Sequence, residues 1–160
     1  NVFSDALDSD FSNGVISKTK FINIGNDALD FSGSISKLTE INIDGVGDKA
    51  LSVGEISNIS GENIYIINAE IGITSKDLSN VTINKVKIID TKLGFAIFKK
   101  KEEYGAAKAT ISNLETSNIE LLHLVDQESV LSLNGKNIVQ KKPNVEIFLY
   151  GNNYGITSMK

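Results

Sequence analysis

Apolar residues along the chain fall in short alternating bursts, not at helical spacing. Ile41-Asn42-Ile43 is one burst and Ala50-Leu51-Ser52-Val53 the next. Ile64-Tyr65-Ile66 and Ile71-Gly72-Ile73 repeat the arrangement, as do Val86-Lys87-Ile88 and Leu93-Gly94-Phe95. Turn-forming residues such as Gly25-Asn26 and Gly45-Val46-Gly47 stand between them. The bursts are also periodic. Asp5-Ala6-Leu7-Asp8 recurs 22 residues on as Asp27-Ala28-Leu29-Asp30, then as Lys49-Ala50-Leu51-Ser52, and more worn as Ile71-Gly72-Ile73-Thr74 and Leu93-Gly94-Phe95-Ala96. A fixed step of this length marks a stacked array. Three strands of roughly 3–5 residues plus three turns fill one such step, which is one coil of a parallel β-helix.

The prediction is therefore an all-β, right-handed parallel β-helix of six to seven coils, forming a single domain over residues 1–160. Right-handedness follows from the bias of parallel crossovers. Coils stack about 4.8 Å apart, so Leu7, Leu29, Leu51, Ile73 and Phe95 should form one inward column. A leucine-rich repeat has a similar period but requires Leu at fixed offsets and a helical segment, and neither is visible. Ser57-Asn58, Ser79-Asn80, Ser112-Asn113 and Ser117-Asn118 are expected at turns, where Asn tolerates the left-handed conformation. The rhythm breaks over 99–108 (Lys99-Lys100-Lys101-Glu102-Glu103-Tyr104 and onward), which reads as a loop insertion: a solvated loop or part of a binding face. Further bursts from Ile119 to Ile138 suggest one or two more coils, and Val145 to Tyr154 is expected to finish the stack. Asn1-Val2-Phe3 is already in the rhythm and no N-terminal cap is visible. The expectation is a piece of a longer chain with flanking domains.

Composition narrows the partners. Of 160 residues 41% are hydrophobic, and the aliphatic share is dominated by β-branched Ile and Val, as suits strands. All 16 basic residues are Lys and the net charge is −4, which argues against nucleic acid, where Arg forks carry recognition. Cysteine is absent, which excludes disulfides and thiolate metal sites. No apolar run approaches the roughly 20 residues of a membrane span.

Chemistry concentrates in Asp5, Asp8, Asp10, Asp27, Asp30, Asp44 and Asp48. Stacking places Asp5 over Asp27 and Asp8 over Asp30, about 4.8 Å apart. Carboxylates so close raise one another's pKa or bind a cation. Calcium, which takes several carboxylate oxygens, is the natural candidate for Asp5, Asp8, Asp27 and Asp30. The alternative is a hydrated turn ladder with Lys49 salt-bridged to Asp27. Tyr65, Tyr104, Tyr150 and Tyr154 are candidate sugar-stacking residues, and His123, in an apolar run, reads as structural. Asn58-Ile59-Ser60 and Asn80-Val81-Thr82 are glycosylation sequons.

Gly25-Asn26-Asp27-Ala28-Leu29-Asp30 and Gly47-Asp48-Lys49-Ala50-Leu51-Ser52 resemble the coils of pectin-lyase-like right-handed β-helix proteins. Residues 47–55, 71–77 and 99–105 more closely resemble β-helix domains that accompany spore-coat H-type kinase domains in bacterial surface or secreted proteins. The resemblance spans roughly residues 5–150. It implies an extracellular or cell-surface location and a carbohydrate-related role with a polysaccharide or surface glycan as partner. A non-catalytic structural or adhesive rod is the competing expectation. In the polygalacturonase branch, two motifs supply the carboxylates for glycoside hydrolysis. Asp27 would match the first and Asp48 part of the second, while Lys49 replaces the remaining Asp and the downstream His-Gly and Arg-Ile-Lys motifs are absent. A lyase or epimerase would instead need a base and a neutralising group, roles that Lys49 beside Asp27 and Asp48 could fill. Asp27, Asp48 and Lys49 are thus the candidate catalytic residues.

Overall fold

The computed structural model describes residues 2–151. Its elements in chain order are β1 (Leu7–Asp10), β2 (Asn13–Ile24), β3 (Leu29–Ser32), β4 (Ile35–Gly54), β5 (Asn58–Lys76), β6 (Asn80–Phe98), β7 (Lys108–Val125), β8 (Val130–Leu133), β9 (Lys136–Asn137) and α1 (Val145–Leu149). They form one sheet wound into a parallel β-solenoid of about 6 turns. Among the described strands only β8 and β9 pair antiparallel, as a hairpin. No helix among the described residues is long and apolar enough to cross a membrane.

Each coil bends at single residues in the left-handed conformation. One corner is the column Lys18, Glu40, Asn63, Lys85 and Asn113; a second is Asn23, Gly45, Asn68, Asp90 and Asn118; and a third runs through Phe11, Gly33, Glu55 and Asp77, all with positive φ. Short polar side chains tolerate that conformation because they bond locally. Here the bonds run between coils: Asn68 Nδ2 donates to Asp44 Oδ1 at 2.8 Å and Asn118 Nδ2 to Asp90 Oδ1 at 2.6 Å. Asn113 and Asn118 meet the expectation of left-handed asparagine. Asn58 and Asn80 do not; they open β5 and β6 and stack through their own amides at 3.3 Å. The serines before them form a separate ladder. Ser57 Oγ accepts from the Ser34 amide at 2.9 Å, and Ser79 Oγ from the Ser57 amide at 3.1 Å. Ser129 Oγ continues it, accepting from the Ala107 amide at 3.0 Å.

The core lies inside the coil. Leu7, Leu29, Leu51, Ile73 and Phe95 pair in unbroken register, and all but the first are fully buried. Removing each from water is worth roughly 1.5–3 kcal/mol. His123 takes the next place in this column, above Phe95, which fits its reading as a structural residue. Partial burial holds its imidazole below the usual range.

Between β6 and β7 the step lengthens to 28 residues, as Asn80 faces Lys108 and Phe95 faces His123. The surplus is the inserted loop. Asp77 organises it: its Oδ1 accepts from the amides of Lys100 at 2.7 Å and Lys101 at 2.8 Å. Asp126 Oδ2 accepts from the Lys99 amide at 2.6 Å, and Lys101 pairs with Glu55. Past β7 the described residues add only a partial coil, because β8 pairs with no more of β7 than Lys108–Ile111.

The tail departs from expectation. Val145–Leu149 is a short helix, entered after Pro143 through a left-handed Asn144, and not a further coil. It lies on the outside of the stack, with Val145 and Leu149 buried against Ile71, Leu93, Ala96, Phe98 and Leu124. Those sheet residues are apolar on an outer face, so they recruit a cover. Asn152 to Tyr154 lie outside the described residues.

Candidate functional site

The Asp column is built by the coil step. Asp5 Oδ1 accepts from Asn26 Nδ2 at 2.6 Å and from the Asp27 amide at 2.9 Å. One coil on, Asp27 Oδ1 accepts from the Lys49 amide at 2.9 Å and from Lys49 Nζ at 3.5 Å. Asp48 joins through a register shift between Val46 and Lys49. Neighbours on a regular strand point to opposite faces. The irregularity lets Asp48 and Lys49 lie together, with Lys49 Nζ 2.6 Å from Asp48 Oδ2. The structure thus joins the three candidate catalytic residues in one ion triad.

That triad is covered. Asp27, Asp48 and Lys49 are 4%, 1% and 4% exposed, too little for a substrate to reach them in this form. The cover is Tyr150, whose ring centre lies 5.9 Å from Lys49 Nζ, 4.5 Å from Lys100 Nζ and 6.3 Å from the ring of Phe98. Burial pushes the Asp27 carboxyl up to about 6, with Lys49 opposing and Asp48 adding to the rise. Burial alone would lower the Lys49 ammonium, but Asp27 and Asp48 outweigh it and hold it above its usual range. The Tyr150 phenol is raised, chiefly by burial.

The other two calcium candidates sit in a parallel row, where Asp8 pairs with Asp30 and the row continues through Ser52 and Thr74. Desolvation and the carboxylates of Asp10, Asp30 and Asp5 raise Asp8. Asp30 Oδ1 and Thr74 Oγ1 are buried without a hydrogen-bond partner among the described residues. Asp5 and Asp27 therefore share a hydrogen-bonded column, while Asp8 and Asp30 share a row. Among the described residues no group of three or more His, Asp or Glu side chains is arranged to hold a metal ion.

Sequence reasoning missed Lys76. Its Nζ donates to Ser52 Oγ at 3.1 Å, and burial lowers its pKa. Gly54 makes room: a Cβ there would stand 2.8 Å from Lys76 Cε. A glycine one coil before a lysine was the readable signal. A Ser–Lys pair invites a nucleophile reading, but Ser52 is 0% exposed. Such chemistry also needs free amides to hold an oxyanion, and the strand amides here are used by the ladder.

The open surface lies elsewhere. Asn42, Tyr65, Lys87 and Glu115 form an outward row across β4 to β7. With the corner residues Glu40 and Asn63 they line a shallow groove of about 530 Å³. Half-buried Ile67 and Ile89 run alongside. On the neighbouring face Ser60, Thr82, Thr110 and Ser132 align in register over four coils, and their hydroxyls make no hydrogen bond among the described residues. Of the other tyrosines, Tyr104 lies in the inserted loop, and Tyr154 lies outside the described residues.

Comparison with protein-family models, with curated proteins and with solved structures gives no match.

Proposed function

We propose that this solenoid is a glycan-binding module that holds an extended polysaccharide against its outer faces without cleaving it. The Tyr65 groove is the observation that carries this reading. A tyrosine offers an apolar ring with a polar tip. Beside Ile67 and Ile89 it suits the carbon-bound face of a sugar, while Asn42, Asn63 and Lys87 supply hydrogen bonds at the rim. The row of uncommitted hydroxyls extends the polar surface around the corner. The resemblance to β-helix domains of bacterial surface proteins points the same way and favours an extracellular or cell-surface setting. Burial of Asp27, Asp48 and Lys49 favours binding over turnover by a lyase, epimerase or hydrolase.

A rigid spacer is the second reading, and the inter-coil ladders favour it: a stack tied by Asp5–Asp27–Lys49 and by Ser34–Ser57–Ser79 resists bending whether or not it binds anything. Affinity electrophoresis through gels containing neutral or uronate polysaccharides separates the two. Retardation by at least one polymer, lost in Tyr65→Ala, is the expected result. Unretarded migration through every gel by the folded protein would leave the spacer.

A further inference from the structure

Lys76, at the end of β5, is half-buried with no carboxylate at ion-pair distance among the described residues. Lys49, Lys92 and Lys101 by contrast each meet one. Gly54 gives the Lys76 stem a bed one coil back: a Cβ there would stand 2.8 Å from Cε and 3.2 Å from Cγ. Phe98, fully buried, pairs with Lys76 from β6 and carries the Tyr150 ring edge-on at 6.3 Å. The stem thus lies against glycine and an aromatic cover, and Nζ ends on a neutral hydroxyl, donating to Ser52 Oγ at 3.1 Å. An ammonium placed so loses water without gaining a counter-charge, which disfavours the charged form. Burial is the chief cause; Asp30 from β3 and Asp27 oppose it, while Lys49 from β4 and Lys100 from the inserted loop add to it. Lys49 itself is 4% exposed and held by two carboxylates, so Lys76 is the amine of this cluster that a small molecule can reach.

We propose that Lys76 is a covalent capture site for small aldehydes, its Nζ adding to the carbonyl carbon to form an imine. Desolvated lysines beside other cations are activated as nucleophiles in this way. The nitrogen lone pair makes the C–N bond, and the carbonyl π pair moves to oxygen, which takes up a proton. The carbinolamine then loses water to leave C=N. The net step is amine plus aldehyde to imine plus water, and no oxidant or reductant enters. Ser52 Oγ, already bonded to Nζ, can pass the proton. Asp30 is the carboxylate that acts most strongly on Lys76, and its Oδ1 has no hydrogen-bond partner among the described residues, which leaves it able to give or take one. The site is separate from the Tyr65 groove and holds whether or not that groove binds a glycan.

The test is reductive alkylation of the whole chain with dilute acetaldehyde, using cyanoborohydride to fix the imine, followed by proteolysis and peptide mass mapping. The other lysines are internal controls, and Lys37 and Lys136 are exposed. At neutral pH Lys76 should be labelled several-fold faster than either. The gap should close as pH approaches about 10, where exposed lysines lose their own protons. It should also vanish in urea, where all the lysines are alike. Lys76→Arg should remove the fast phase of labelling from the intact mass. Labelling of Lys76 no faster than that of Lys37 and Lys136 at neutral pH would overturn the proposal. So would an advantage that persists in urea or that does not fall as the pH rises.

Discussion

Replacing Lys49 with methionine keeps an unbranched side chain of similar length and deletes one ammonium. What stays behind is Asp27 and Asp48, 4% and 1% exposed, with the cation that bridged them at 3.5 and 2.6 Å gone. Asp27 would keep the Lys49 amide as a donor, because that bond is to the backbone. Removing one partner of a buried ion pair costs about 3–5 kcal/mol, since the other charge is left uncompensated. Against a typical domain stability of about 5–15 kcal/mol that is a large fraction. Urea unfolding of Lys49→Met and the parent chain at neutral pH measures it as a fall in midpoint. Acid should shrink the gap, because protonating the carboxylates removes the repulsion. The double variant Lys49→Met with Asp27→Asn should recover part of the loss at neutral pH. A loss below about 1 kcal/mol, the scale of exposed pairs, would refute the reasoning and mean that water reaches the triad. So would a loss that does not change with pH.

Two further outcomes follow from the same geometry. Asp27 titrates at about 6 in the folded chain against a reference of 3.8, so the fold binds its proton more tightly than the unfolded chain does. Its contribution is therefore most favourable below the reference value and is lost as pH rises through about 6, by at most about 3 kcal/mol. Thermal unfolding from acid to neutral pH should show this decline, and Asp27→Asn should flatten it. Ser57→Ala removes an acceptor for the Ser34 amide and a donor to Gly54 O at 2.6 Å, both buried. Gly54 O keeps the Gly33 and Ser57 amides as donors, but the Ser34 amide is left unpaired, which costs about 1–3 kcal/mol, so urea unfolding should show a clear loss, whereas Ser60→Ala, outside the ladder, should change stability little.

The solenoid was legible because a coil step writes itself into the sequence. The tetrads at Leu7, Leu29, Leu51, Ile73 and Phe95 occupy one inward column, so their spacing is the register itself. The inserted loop was legible as a break in that step. Asn58 and Asn80 were harder. They share a period with the corner asparagines but not a phase, and period alone does not say where in the coil a residue stands. The tail was illegible for a different reason. Val145, Ile147 and Leu149 alternate as a strand would, yet no neighbouring strand edge pairs with them, and the apolar outer row of Leu93, Ala96 and Phe98 takes up Val145 and Leu149 as a helix instead. The stacking of Asp5 on Asp27 and of Asp8 on Asp30 could be read from spacing. The burial of the triad could not, since it depends on Tyr150 folding back from some hundred residues away.

A labelled-protein NMR titration with a polysaccharide fragment that retards the chain tests the functional account most directly. Shift changes confined to Asn42, Asn63, Tyr65 and Lys87, with no new sugar signals over time, are the predicted result. Changes centred on Asp27, Asp48 and Lys49, accompanied by product signals that disappear in Asp27→Asn, would contradict it and make the covered triad an active site.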